Sequence, residues 1–447
     1  MTQLIATSSH TAIVGAGVTG VSVARFLARR GQRFTLLDTC VDHPKRAELE
    51  SEFGKNRVFF GPLNVEQLAR AEEVVVSPGV PLSTPELQQA RNAGARVVGD
   101  IDLFVHYAKA PIVAITGSNA KSTVTTLVGE MARDAGVKVA VGGNLGTPAM
   151  DLLADDIELY VLELSSFQLE GVPKLGAKVA TILNISADHM DRYPDLPTYH
   201  QTKLRVYYGA QQVVYNSQSV LTQPPMSAGA VPITFGGRAE FRRFGTIEED
   251  DGTWLAWQLD PLMPASELKI KGKHNIDNAL AALALGYAAE LPIDSMLETL
   301  RRFPGLPHRC EWVAEIDGVN YFNDSKGTNV GAAIAAIQGL APAEGKVVLI
   351  AGGEPKGADF SELRKPVEKS VRCAVLIGRA AEQLAQVLAD RTDLQFAESL
   401  TDAVEQVRTR AEPGDVVLLS PACASFDMFT DYRDRGDQFR RAVEALS

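Results

Sequence analysis

Two stretches of this sequence combine residue types and spacings suited to holding phosphate. Thr116-Gly117-Ser118-Asn119-Ala120-Lys121-Ser122-Thr123 follows the apolar run Ile112–Ile115 and opens a helical pattern. At such a strand–loop–helix junction the backbone amides and the Lys121 ammonium can hold β- and γ-phosphates, and a hydroxyl of Ser122 or Thr123 can ligate Mg²⁺. The stretch departs from G-x-x-x-x-G-K-[ST], with Ile115 at the first glycine and Ala120 at the second, so its context carries the reading. Gly15-Ala16-Gly17-Val18-Thr19-Gly20 is a full G-x-G-x-x-G between a strand and a helix. Its glycines allow a tight turn and close approach of N–H groups to a diphosphate, and Asp38, ending the next strand, is placed to accept from a ribose hydroxyl. A nicotinamide dinucleotide and a UDP-sugar offer the same groups. A glycine turn that merely packs helix on strand also fits.

Two further groups belong to the same chemistry. Glu163 lies near the carboxyl end of an apolar strand in Val-Leu-Glu-Leu-Ser-Ser, and Asn184-Ile185-Ser186-Ala187-Asp188-His189 leaves another strand. Open α/β sheets bind ligands beyond the carboxyl ends of their strands, so Thr116, Glu163 and His189 can converge on one phosphate–metal site.

The elements that must position these groups alternate in type. Thr11–Val14, Arg33–Leu37 and Val74–Val76 read as strands, with helix Val21–Arg30 after the glycine turn. A second series runs through strand Ile112–Thr116, helix Ser122–Asp134 and strands Leu159–Leu164 and Val179–Ile185. Residues 217–272, with Pro224-Pro225, Gly236-Gly237 and Asp251-Gly252, predict antiparallel hairpins at a sheet edge, followed by helix Asn275–Ala289. Pro304-Gly305-Leu306-Pro307 cannot continue a helix and reads as a linker. Beyond it, strands Tyr321–Asn323, Val347–Ile350, Ala374–Ile377 and Val416–Leu419 predict a third β/α series. The expectation is an α/β protein of three domains: 1–100 Rossmann-like, 101–306 of P-loop ATPase type, and 307–447 again Rossmann-like.

Bulk properties limit the alternatives. The 447 residues carry 44 Lys+Arg against 55 Asp+Glu, net −11, which argues against nucleic acid or an anionic membrane as partner. No stretch nears the ~20 apolar residues of a membrane-spanning helix. The N-terminus lacks the basic-then-apolar pattern of a leader, and Cys40, Cys310, Cys373 and Cys423 form no metal-type spacing. A cytoplasmic enzyme with free thiols is expected. On the residues alone, a NAD-dependent oxidoreductase and a non-catalytic ATP-binding switch remain rivals to an ATP-using enzyme.

Taken together the motifs resemble the Mur ligases, ATP-dependent amide-forming enzymes of peptidoglycan synthesis. The resemblance runs nearly end to end: VGAGVTG at 14–20, SPGVP at 77–81, ITGSNAKSTVTTL at 115–127, GGNLG at 142–146, LELSSFQLE at 162–170 and DHMDRY at 188–193. It continues through GKHNIDNALAALA at 272–284, GLPHR at 305–309, NDSKGTN at 323–329, GGEPKGADF at 352–360 and SPACASFD at 420–427. The last motif and DSKGTN resemble most the members that add D-glutamate. Ala120, where a glycine is usual, and Cys40, where an arginine often follows Asp-Thr, depart from the pattern.

The resemblance implies transfer of the ATP γ-phosphoryl group to a carboxylate, attack on the acyl phosphate by an amine, and loss of phosphate. It implies UDP-N-acetylmuramoyl-L-alanine, D-glutamate and ATP as substrates, Mg²⁺ as cofactor (two ions, with Mn²⁺ a substitute), and a monomer. By carry-over, Gly117, Ser118, Asn119, Ala120, Lys121, Ser122 and Thr123 hold ATP, with Asn275 and Asn278 at the adenine. Arg309 would reach the γ-phosphate, and Asp324 and Lys326 the nucleotide from the third domain. Ser122, Thr123, Glu163, His189 and a carbamylated Lys203 would hold metal. Lys121, Glu163, His189, Lys203 and Arg309 are the implied catalytic set. Gly17, Val18, Thr19, Asp38, Thr39, Ser77, Pro78, Gly79 and Asn144, with His189, would hold the UDP substrate, which reassigns the first glycine motif to UDP. Thr328, Lys356, Ser425 and Phe426 would form the D-glutamate site.

Overall fold

A computed structural model describes residues 10–225 and 232–446. Residues 1–9, on which much of the leader expectation rests, and residues 226–231 of the expected hairpin region lie outside the described residues. Among the described residues three sheets form, of five, nine and six strands.

The first sheet runs in the order Val58–Phe60, Arg33–Asp38, His10–Val14, Glu73–Val76, Arg96–Gly99 and is parallel throughout. Its three inner strands are short apolar runs largely buried on both faces, the composition that parallel sheets require. Helix Val18–Arg29 starts three residues earlier than its sequence pattern suggests, because Gly17, in extended conformation, serves as N-cap. Val18 and Thr19 therefore lie on the first helical turn.

The central sheet is ordered Asp260–Pro264, Gly252–Trp257, Arg243–Glu249, Ile233–Arg238, Gln212–Asn216, Val179–Ile182, Ile112–Thr116, Leu159–Glu163, Val139–Gly143. The expected hairpins are present: Arg243–Glu249 with Gly252–Trp257, and the latter with Asp260–Pro264, pair antiparallel. Pro261 and Pro264 lie on the outermost strand, where a missing backbone donor costs no ladder bond on the open side. Helix Lys121–Asp134 packs over this sheet beside helix Lys273–Ala288.

The third sheet is ordered Glu311–Ile316, Val319–Asn323, Val416–Leu419, Val347–Gly352, Val371–Ile377, Asp393–Phe396. Its edge strand Glu311–Ile316 is antiparallel and was not foreseen, because the half-exposed Glu-Trp-Val-Ala-Glu-Ile lacks the apolar run of a central strand.

The joints between sheets differ. One apolar cluster runs without a break from Ile13, Phe26 and Phe104 under the first sheet to Tyr160, Leu162 and Leu169 of the central one. Gly99 N–H donates to Gly171 O at 3.1 Å, and Gln168 Nε2 donates to Asp100 Oδ2 at 3.3 Å across the same joint. The third sheet has its own cores on either face. Between it and the central sheet lies a cleft of about 720 Å³. No helix among the described residues is long and apolar enough to cross a membrane.

Candidate active site

The cleft is built from the ends of strands. Ile112–Thr116 runs into the loop Gly117–Ala120, and helix Lys121–Asp134 then opens with no side-chain cap and no acidic residue in its first turn. Elsewhere Asn64, Ser165, Asp195, Asn329, Ser399 and Asp431 cap helices with their side chains. The first-turn amides of Lys121–Asp134 keep their donors free for an anion, and the helix dipole favours one there.

Asn184 holds the loop in shape. Its Oδ1 accepts from Asn119 N–H at 2.8 Å, its Nδ2 donates to Asn119 O at 3.1 Å, and its own carbonyl accepts from Ser118 N–H at 3.0 Å. Ala120 sits in the left-handed region at φ 65°, ψ −4°. Glycine reaches that conformation freely, whereas alanine is strained in it by roughly 1 kcal/mol. Ala120→Gly is thus expected to keep full activity and to raise slightly the midpoint of the central unfolding transition. Ala120→Val, β-branched at positive φ, should lose both stability and nucleotide binding. A lower midpoint for Ala120→Gly in a denaturant titration would contradict this account. His189, Cys310, Lys356 and Ala422 also have positive φ, at 58°, 47°, 46° and 58°. Strain of this kind persists only where surrounding contacts over-determine it.

Two lysines converge beneath the loop. Lys121 Nζ donates to Gly117 O and Ser118 O, both at 2.9 Å. Lys203 is 1% exposed; its Nζ donates to Gly117 O at 2.9 Å and to Thr116 Oγ1 at 3.3 Å and lies over the Tyr199 ring at 4.8 Å. Burial, and then the neighbouring Lys121, push the Lys203 ammonium well below the usual lysine range. Burial likewise lowers Lys121, against the pull of Glu163 and Asp188.

Glu163 is the buried carboxylate facing them. Its Oε1 accepts from Asn144 Nδ2 at 2.7 Å, while Oε2 is buried without a hydrogen-bond partner. An unpartnered buried carboxylate oxygen is costly unless a cation completes it. The donors nearby are the hydroxyls of Ser122 and Thr123 and the His189 imidazole, whose pKa is lowered chiefly by burial, so the ring is neutral and able to ligate. Among the described residues no three His, Cys, Asp or Glu side chains gather into a ready cage. Hard oxygen donors from Glu163, Ser122 and Thr123 beside a phosphate cradle, with one imidazole nearby, suit Mg²⁺, which keeps waters and binds through substrate phosphates.

The third sheet closes the cleft from the other side. Arg309 Nη2 donates to Ser122 Oγ at 2.6 Å. Asn329 and Asn119 exchange amide hydrogen bonds at 3.0 and 3.2 Å, and Asn329 Nδ2 donates to Asp188 Oδ2 at 3.2 Å. Asp324, buried, accepts from Ser420 Oγ at 2.7 Å and Cys310 N–H at 3.2 Å, and burial raises its carboxyl to about 6. Lys326 lies over the Tyr432 ring at 4.0 Å, and Lys356 over Phe426 at 5.3 Å.

Of the residues singled out from sequence, Ser118–Thr123, Asn144, Glu163, His189, Lys203, Asn275, Asn278, Arg309, Asp324, Lys326, Thr328, Lys356, Ser425 and Phe426 all line this one cleft. Gly117 lies behind it, its carbonyl holding both lysines. Gly17, Val18, Thr19, Asp38, Thr39, Ser77, Pro78 and Gly79 do not line it; they cluster at the carboxyl edge of the first sheet. There Ser77 Oγ donates to Gly15 O at 3.0 Å, and the Asp38 carboxylate accepts from Ala16 N–H at 2.7 Å and Cys40 N–H at 2.8 Å. Asp38 thus shapes the glycine turn with its own oxygens, whatever else it accepts.

Sequence reasoning passed over several supporting residues. Arg435, on the C-terminal helix Tyr432–Glu444, is fully buried; it donates to Ser325 Oγ and O and to the carbonyls of Cys423 and Ala424. It fastens the DSKGTN and SPACASFD segments to each other, and the only sequence signal is an arginine on what reads as a surface helix. Tyr199 shares a hydrogen bond of 3.1 Å with Ser118 Oγ.

The comparisons agree with this architecture. Residues 9–99 match the model of the Mur ligase MurD-like N-terminal domain, 115–286 the Mur ligase middle domain, and 308–423 the Mur ligase glutamate ligase domain. The chain is 58% identical over its whole length to all of the UDP-N-acetylmuramoylalanine--D-glutamate ligase of Pseudomonas fluorescens. It is 56% identical, again over all of both chains, to the protein of that name from Pseudomonas aeruginosa. Among solved structures, a pseudomurein peptide ligase type C from Methanothermus fervidus shares the fold at a TM-score of 0.61 and 17% identity, covering 98% of this chain and 100% of that one. The UDP-N-acetylmuramate-alanine ligase MurC from Thermotoga maritima does so at 0.59 and 17%, with the same coverage. Three matched domains spanning the chain and identity above half along its full length establish that it belongs to the Mur ligase family.

Proposed function

We propose that this enzyme adds D-glutamate to UDP-N-acetylmuramoyl-L-alanine, with cleavage of ATP to ADP and phosphate, in peptidoglycan synthesis. The single observation that carries the reading is the cleft itself. One crevice gathers a phosphate loop, a buried carboxylate with a free oxygen, and a ring of cations from two sheets. Full-length similarity to ligases of that name supports the choice of acceptor.

The chemistry follows from charge. A carboxylate must receive a phosphoryl group, so two anions meet and a third, the D-glutamate, then approaches. The loop amides and Lys121 hold the β- and γ-phosphates, Arg309 approaches the γ-phosphate from the third sheet, and Asn275 and Asn278 face the adenine. Ser122, Thr123, Glu163, His189 and Lys203 as its carbamate hold Mg²⁺, two ions, for which Mn²⁺ can stand in. The metal supplies neutralisation of charge on the transferring group. Asp324 and Lys326 hold the nucleotide from the other wall. Thr328, Lys356, Ser425 and Phe426 place the D-glutamate amine for attack. The UDP portion lies on the first sheet, against Gly17–Thr19, Asp38, Thr39 and Ser77–Gly79, with Asn144 and His189 nearer the reacting end.

The domains are 1–100, 101–306 and 307–447. The continuous apolar core joining the first two, against a joint with the third made of a few hydrogen bonds and the packing of helix Val330–Leu340 on helix Lys273–Ala288, favours rotation of the third alone about 304–307. The enzyme acts as a cytoplasmic monomer without nucleic-acid partners.

The test is ADP release with UDP-N-acetylmuramoyl-L-alanine and, in turn, D-glutamate, L-glutamate and meso-diaminopimelate. Turnover confined to D-glutamate is expected; turnover with another acceptor, or reduction of a nicotinamide cofactor instead, would sink the reading.

A pH signature accompanies it. Burial, then Arg309 and Lys121, bring the Lys326 ammonium down to about 8. Below pH 8 the group is protonated in folded and unfolded chains alike, so folding bears the whole cost of burying that charge. Between pH 8 and the usual lysine value only the unfolded chain holds the proton, and this contribution to stability rises with pH. Phosphates placed beside Lys326 raise its pKa again. ADP binding above pH 8 should therefore take up protons, which calorimetry in buffers of different ionisation enthalpy reads directly; proton release or none would separate Lys326 from the nucleotide.

A further inference from the structure

Beside His189 lies a largely covered polar and aromatic cluster that the catalytic groups named so far leave unused. Glu170 ends the short helix Ser166–Glu170 and is largely covered, its side chain 19% exposed. Its Oε1 accepts from Tyr193 Oη at 2.7 Å and its Oε2 from Arg192 Nη2 at 3.1 Å. The Arg192 guanidinium lies over the Phe167 ring at 4.7 Å. Two aromatic rings also pack against it: His189, 4.8 Å between centroids, and Tyr193, stacked at 5.9 Å. The backbone closes the same loop, since Arg192 N–H and Tyr193 N–H both donate to His189 O, at 2.9 and 3.0 Å.

We propose that Glu170, through Tyr193 and Arg192, is the positioning residue that fixes the His189 imidazole toward the phosphates. His189 needs such a device. Its φ of 58° is unfavourable for a side chain with a Cβ, and among the described residues its ring, half-buried, has no hydrogen bond that would orient it. Among the described residues Asp188 is its ion-pair partner, at a loose 3.8 Å between Nε2 and Oδ2, while Lys121, Lys356 and Asp191 act on the ring through their charge. Orientation therefore comes from the turn that carries the ring and from the aromatic face it leans on. The Glu170 carboxylate anchors both, one oxygen to the residue whose amide holds the His189 carbonyl and the other to the cation that packs Phe167. Tyr193 extends the cluster to Tyr199 at 5.3 Å between rings, and so to the wall of Lys203.

The inference rests on the reading of His189 as a site residue, and the experiment separates the two. Glu170→Ala, Tyr193→Phe, His189→Ala and the double variant Glu170→Ala/His189→Ala are compared by turnover and by Mn²⁺ bound in the presence of ADP, counted by electron paramagnetic resonance. Loss of an orienting group behind a ligand weakens metal affinity or activity by about 10- to 100-fold. Glu170→Ala is expected to fall in that range with the substrate KM values held, and Tyr193→Phe, which keeps the ring packing, to fall less. The double variant should be no worse than His189→Ala alone, because Glu170 acts through that ring. Glu170→Gln, which still accepts from Tyr193, should recover part of the loss. If Glu170→Ala does not fold, Tyr193→Phe combined with His189→Ala makes the same comparison. Losses that add in the double variant, or wild-type Mn²⁺ binding and turnover in Glu170→Ala, would overturn the positioning role while leaving His189 in the site. A neutral His189→Ala would overturn both.

Discussion

Replacing Lys203 with alanine is expected to lower amide synthesis about a thousandfold while leaving the fold intact, and millimolar formate or acetate should partly restore it. Lys203 is wholly buried against Gly117 O and Thr116 Oγ1, with Lys121 across the same carbonyl. Two ammonium groups so placed repel, and burial disfavours charge on either; the direction for Lys203 is strongly downward. Lowering the ammonium's pKa raises the share of neutral amine, the form that adds CO₂ with loss of a proton, and the resulting carbamate would replace a repelled cation with an oxygen anion. Its retained N–H can still donate to the loop. The carbamate would then add an anion beside the buried Glu163, facing Lys121, Arg309 and Lys326. Removing one preorganised charge from such a site costs about 3–4 kcal/mol of transition-state stabilisation, about 10²–10³ in rate. A short carboxylic acid entering the space left by truncation supplies the missing charge. Full activity in Lys203→Ala without additives, or a folded and inactive variant that no small acid restores, would dismiss the carbamate.

The same residue marks how far the sequence could be read. By pattern alone Lys203 is a lysine on an exposed helix, because Leu196–Leu204 has no apolar stripe that announces its buried face. Its burial arises from tertiary packing of that helix under the loop, and no local periodicity encodes it. The phosphate loop was readable for the opposite reason: strand, glycine, lysine and helix follow each other within one short stretch, so the chemistry is local. The parallel strands were readable too, since burial on both faces forces continuous apolar runs such as Val-Leu-Ile-Ala-Gly at 348–352.

Edges and joints were harder. Glu311–Ile316 and the start of helix Val18–Arg29 depend on partners or caps distant from any hydrophobic signal. The support given by Arg435 and Glu170 was invisible, because a buried charge has the same letter as a solvated one. Asp38 is the intermediate case. Its position after the second strand was readable, yet its oxygens prove to be engaged with Ala16 and Cys40 N–H, which a motif cannot say. Net charge misled in a smaller way: the −11 describes the surface, whereas the cleft gathers Lys121, Lys203, Arg309, Lys326 and Lys356.

Lys121→Ala should carry the largest effect of any single substitution, with synthesis lost by at least about a thousandfold and the UDP substrate still bound. Lys121 now curls back on its own loop, donating to Gly117 O and Ser118 O at 2.9 Å each. Those carbonyls hold the ammonium above the first helical turn, where Ser122 Oγ meets Arg309. A triphosphate in that cradle draws the ammonium from carbonyls to phosphate oxygens, a gain that grows as charge develops on the transferring group. Alanine removes the charge and leaves the Ser118 carbonyl, which lines the cleft, without its ammonium donor, while Gly117 O keeps its bond to Lys203; the site loses an attraction and gains an uncompensated acceptor. The first sheet is untouched, since its glycine turn and Asp38 do not line the cleft and its joint to the central sheet is an apolar core. Calorimetric titration with UDP-N-acetylmuramoyl-L-alanine should therefore give wild-type affinity in the variant. This pairing also decides between the rivals open at the outset. A dinucleotide oxidoreductase using the first glycine turn would keep its turnover without Lys121, because hydride transfer makes no demand on the second loop. A nucleotide-binding switch would lose ATP affinity but would have no amide synthesis to lose. Only an enzyme that transfers a phosphoryl group in the cleft and holds its other substrate elsewhere gives loss of synthesis with binding retained.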